Sequence, residues 1–118
     1  MEINKSIMAF SQSEKIKSGL IWVSQALEML QGLSSTEKGG GEKMLSALLN
    51  MIDHEIQLAK AVAGGEGWDE IEPYMDKAVV MVNSGVGHEA NVHLSMALSK
   101  VTNIGHQSMT FLKEQGLL

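Results

Sequence analysis

The sequence predicts an all-α chain folded as an antiparallel up-down-up-down four-helix bundle, one domain over residues 1–118. Three observations predict it. Only one proline occurs in 118 residues. Apolar residues recur at three- and four-residue steps in four segments, the period of one helix face. No strand-like alternation of useful length occurs anywhere.

The first helix is expected after Ser11-Gln12-Ser13-Glu14, a capping-box pattern in which a hydroxyl accepts from the backbone and an acid reaches back. Ile16, Leu20, Val23, Leu27 and Leu30 then form its inward face. Gly19 and Ala26 lie where a neighbouring helix can come close, and Gly32 ends the helix. Residues 1–10 read as a mobile, partly apolar arm. Residues 34–41 end in Gly39-Gly40-Gly41 and read as a loop, because three glycines in a helix interior cost backbone entropy.

The second helix is expected from about Glu42 to Ala63, with Leu45, Leu48, Ile52, Ile56, Ala59 and Val62 inward, and Gly64-Gly65 ends it. The third covers roughly Asp69 to Asn83 with Pro73 in its first turn. It buries Ile71, Tyr74, Met75, Ala78 and Val82. After Gly85 and Gly87 the fourth runs from His88 to about Gln115, with Ala90, Leu94, Ala97, Val101, Ile104 and Leu112 inward. Apolar residues make up 44% and aromatics only 4%, so the core is aliphatic and methionine-rich.

Composition narrows the chemistry. There is no cysteine, which removes thiol nucleophiles, disulfides and thiolate metal sites. All nine basic residues are lysine and the net charge is −5, so the chain lacks the basic, arginine-bearing footprint of a nucleic-acid binder. The longest apolar run, Ala78 to Val82, is far too short for a bilayer. With no signal-like apolar stretch in residues 1–10, a cytoplasmic location is expected, with no membrane and no nucleic acid as partner. Gly39-Gly40-Gly41-Glu42-Lys43-Met44 lacks the Gly-Lys-Ser/Thr of a phosphate loop. Neither a Gly-x-Ser-x-Gly turn nor a His-Glu-x-x-His or Glu-x-x-His motif occurs. No catalytic residue and no cofactor are expected.

Glu55 is the most informative position. On a helical wheel it falls in the middle of the second helix's apolar face, among Leu48, Met51, Ile52, Ala59 and Val62. A carboxylate there must pair, bind a cation or stay protonated. Lys77 and Lys100 stand at its level on the third and fourth helices, so a buried ion pair of Glu55 with Lys77 or Lys100 is expected. The alternative is a small-molecule or divalent-metal site built from His54, Glu55, Glu89 and His93 between the second and fourth helices. Glu89 and His93 share one face, although Glu89 opens its helix and lies off the level of Glu55.

His88 and His106 lie eighteen apart, about 27 Å along one face, too far to share a metal. Between them Ser95, Ser99 and Thr102 form a small-residue stripe suited to close helix approach. Glu66, Asp69, Glu70, Glu72 and Asp76 read as a solvated acidic face at a helix N-terminus.

Val80, Val92 and Met96, with Ile21, fall on the outward side of their helices. Such residues mark an interface when contiguous. A mean hydropathy of +0.01 fits a small bundle that self-associates. The expectation is a non-catalytic interaction or regulatory module, a homodimer or the binder of a protein partner, acting through the third and fourth helices.

Overall fold

A computed structural model describes residues 2–65 and 67–118. Met1 of the expected arm and Glu66 of the expected acidic face lie outside the described residues. Four helices, α1 (Ile3–Leu30), α2 (Ser35–Ala63), α3 (Glu72–Asn83) and α4 (Ala90–Glu114), are joined by a short turn and by single 3₁₀ turns at Gly67–Glu70 and Gly87–Glu89. Packing follows a square: α1 lies against α2 and α4, and α3 lies against the same two helices. α2 and α4 therefore occupy one diagonal. The rod measures 53 × 21 × 18 Å, because three helices are long and α3 is short.

The core is aliphatic, as composition predicts, but not methionine-rich: among the described residues Met75 is the one buried methionine, and Met8, Met29, Met44, Met51 and Met96 are exposed. Leu27, Leu49, Ile56, Ile71, Ala78 and Val101 are wholly buried. Each large member contributes about 1.5–3 kcal/mol by leaving water. Trp68, carried by the first 3₁₀ turn, is 1% exposed and plugs the end of the bundle beside Ile104. α2 corrects the wheel by one position: Leu49 is buried and Leu48 is exposed, and Ala63 rather than Val62 closes the inward face.

Two boundaries differ most from expectation, and α3 begins at Glu72 rather than Asp69, after a separate 3₁₀ turn. Residues 3–10 are not an arm, since α1 already begins at Ile3. Its first half is held by a seam of small residues: Ser6, Ala9 and Ser13 are buried, opposite Gly105 and Ser108 of α4. A Cβ on Gly105 would lie 2.5 Å from Ser13 Oγ, so only glycine lets the helices approach this closely. The buried hydroxyls donate to backbone carbonyls one turn back, Ser13 to Phe10 at 2.8 Å and Ser108 to Ile104 at 2.9 Å. The seam is polar in composition, so apolar periodicity does not reveal it.

The second difference is the glycine run. Residues 35–41 are helix, not loop. Ser34 caps α2: its hydroxyl accepts from the Glu37 backbone, and the Glu37 carboxylate accepts from the Ser34 N–H at 3.2 Å. The capping box therefore stands at Ser34–Glu37, whereas Ser11–Glu14 lies inside α1. A Cβ on Gly41 would meet Leu30 Cδ1 at 2.7 Å, so this glycine lets the α1–α2 corner close. Gly64 ends α2 at φ 67°, and Pro73 sits in the first turn of α3, both as expected.

Candidate functional site

Glu55 lies between α1 and α2, not in the bundle centre. Its side chain is 30% exposed, and Lys15 Nζ donates to Oε1 at 2.9 Å. Gln12 Nε2 donates to Oε2 and to the Glu55 backbone carbonyl, both at 3.1 Å. The Gln12 bond, then Lys15, holds the carboxyl below the usual glutamate range against a smaller opposing effect of burial. The expected buried pair with Lys77 or Lys100 is thus overturned. Lys77 stands over the Tyr74 ring at 5.9 Å, and Lys100 reaches Glu70 at 3.4 Å. The physical reason is the width of the apolar arc of α2, which exceeds what the bundle buries. Glu55 belongs to the outer part of that arc.

The metal constellation does not assemble. His54 and Glu55 are on α2, Glu89 and His93 on the 3₁₀ turn and α4, and those helices are diagonal. Among the described residues no three His, Asp or Glu side chains converge on one point. Ser95, Ser99 and Thr102 face solvent beside His106 instead of a neighbouring helix. The acidic run is partly paired rather than simply solvated: Lys60 of α2 bonds Asp69 at 2.7 Å and Glu72 at 2.8 Å. Those two carboxylates, Asp69 first, push the Lys60 pKa well up.

Two concavities stand out. The larger, about 690 Å³, lies at the end where α1 starts and α2 stops. Its rim mixes Glu2 and Glu70 with Lys5 and Lys100, so it carries no single sign of charge. The other is a groove of about 460 Å³ between α1 and α2, and its lining is apolar except at the Lys15–Glu55 pair. α1 lines it with Lys15, Gly19, Trp22 and Ala26, and α2 with Leu48, Met51 and Glu55.

Trp22 is 69% exposed and Met51 61%. Leaving such a tryptophan in water forgoes several kcal/mol of burial, in a chain with only two. Met29 and Met44, both largely exposed, continue the groove towards the α1–α2 corner, and Met8 and Leu58 continue it beyond the ion pair. On α2 the exposed or half-exposed positions 44, 48, 51, 55, 58 and 62 alternate steps of four and three, the spacing of a helix–helix seam. On α1, positions 15, 19, 22, 26 and 29 do the same. The sequence signal for this groove lies in Leu48 and Met51, which the helical period alone assigns to the core.

Val80, Val92 and Met96 are exposed, Val92 at 67%, so their outward placement agrees with expectation. They form a sparser face on α3 and α4.

No protein-family model matches this chain, and no curated protein or solved structure is detectably similar to it. Among the described residues no helix is long and apolar enough to cross a membrane.

Proposed function

We propose that this protein is a non-catalytic helical binding module whose working surface is the α1–α2 groove, which takes an amphipathic helical surface from a protein partner. The exposed Trp22 above a continuous apolar groove carries this reading. Trp is the side chain most enriched among residues that dominate binding energy, and helix-in-groove recognition uses apolar anchors at the spacing found here. Met51 in the groove, with Met8, Met29 and Met44 exposed along the same two helices, suits a surface that repacks around its partner. Val80, Val92 and Met96 offer a second, smaller contact face.

Photo-crosslinking tests the reading. A benzophenone amino acid is placed at position 22 of the full chain, and separately at 80, 92 and 96. Protein adducts formed from position 22 are expected. Adducts formed only from 80, 92 or 96, or none at all, would overturn it.

A further inference from the structure

We infer that the occupant of the α1–α2 groove is a second copy of this chain, paired by a two-fold axis parallel to the helices. This rests on the groove being the working surface, and it adds the partner and its orientation. Three features of the groove carry it.

The first is area. Trp22, Met29, Met44, Leu48 and Met51, extended by Met8 and Leu58, are each 40–74% exposed, a row of large apolar side chains on the scale of the roughly 800 Å² per partner that a standard stable interface buries. The stripe is long enough to cover an identical stripe end to end.

The second is charge complementarity. A two-fold axis parallel to the helices lays α1 of one copy against α2 of the other and keeps every residue at its own level. Lys15 then faces the partner's Glu55, and Glu55 faces the partner's Lys15. With the internal 2.9 Å pair in each copy, the four groups close a ring of alternating charge. An axis perpendicular to the helices would instead set α1 against α1 and put Lys15 opposite the partner's Met29, seven residues either side of Trp22. That arrangement buries each internal Lys15–Glu55 pair against thioethers, whereas the parallel axis offsets the desolvation of both pairs by bringing them together.

The third is shape. The parallel axis puts Trp22 against Leu48 and Met51 of the partner subunit. Gly19 and Ala26 stand three and four residues from Trp22, so the groove is shallowest in side-chain bulk on both sides of its largest side chain. Every helix in the resulting four-helix layer is antiparallel to its neighbours, as within the chain itself. A two-fold pairing of identical surfaces is the commonest form of soluble assembly.

Sedimentation equilibrium on the full chain and on charge-reversed variants tests this, with folding checked by circular dichroism. The wild-type protein is expected at twice its 12.8 kDa mass. Trp22→Ala removes two anchors from the symmetric dimer and should weaken it by roughly a thousandfold, about thirtyfold for each central anchor. Lys15→Glu and Glu55→Lys should each dissociate it. Mixing those two variants should restore a heterodimer, because positions 15 and 55 are then both acidic in one copy and both basic in the copy they face. A wild-type monomer at high concentration, or a mixture no more dimeric than its components, would overturn the inference.

The crosslink at position 22 separates this from failure of the wider reading. An adduct of twice the chain mass supports the second copy. An adduct of any other mass overturns the second copy but leaves the groove as the binding surface, and no adduct at position 22 overturns both.

Discussion

Gly39 and Gly40 lie in the first turns of α2, and replacing both with alanine should stabilise the protein. A Cβ at either position would meet no atom within 4 Å, and neither residue has a positive φ. The substitution therefore adds no clash and removes only glycine's propensity penalty, about 1 kcal/mol per exposed helical site. The double variant should gain about 2 kcal/mol, and a chain of this size should then melt roughly 6–10 °C higher.

Gly40→Pro is the opposite probe. In a helix interior it removes a ladder hydrogen bond and clashes one turn back, costing about 3 kcal/mol. Thermal and urea melts followed by circular dichroism read both effects, with an unchanged urea slope showing that the folded state is the same. A double-alanine variant that melts at or below the wild-type temperature, together with a tolerated proline, would show that the glycine run is not helical. The Ser34 cap and the α1–α2 corner would then need redrawing.

At the α1–α4 seam, Gly105→Ala should cost about 1–3 kcal/mol, since its Cβ would lie 2.5 Å from Ser13 Oγ. Ser13→Ala should recover part of that loss in a double-mutant cycle on urea-melt stabilities, whereas purely additive effects would refute the close approach. Asp53 is pushed above its usual 3.8, by burial first and then by the Glu72 and Asp76 charges. A raised carboxylate pKa means that the folded state binds the proton more tightly. Its charge therefore costs stability above the folded pKa, and the cost disappears below the unfolded value. Asp53→Asn should stabilise modestly at neutral pH, by less than about 1 kcal/mol at so solvated a site, and the gain should vanish in acid melts. Glu55 and Glu72 act in the other sense: held low by Gln12 with Lys15 and by Lys60 with Gln57, they add stability above about pH 4.5 that is lost as pH falls further.

Local chemistry reads directly from the order of residues where neighbours along the chain decide the outcome. Gly64 and Gly65 must end α2, because only glycine takes their positive φ cheaply, and Pro73 must lie in a first helical turn. The period of Ile16, Leu20, Val23 and Leu27 sets the inward face of α1 whatever packs against it. These signals suffice for four helices and an up-down bundle.

Elsewhere two readings of the same residues compete, and contacts distant in sequence choose between them. Ser6, Ser13, Gly105 and Ser108 form a core seam only because two helices meet there without bulk. Gly41 stays helical where Leu30 and Leu33 close over it, and the Ser34 cap holds the turn before it. The apolar arc of α2 spans Leu49 on one side and Leu48 with Met51 on the other. Periodicity gives the width of that arc, but not which part the other helices cover. The square packing covers the Leu49 side and leaves Leu48, Met51 and Glu55 outward with Trp22. That choice turns an expected buried ion pair into the charged member of an open apolar groove. Burial depends on the positions of all four helices together, and no single helix's sequence encodes it.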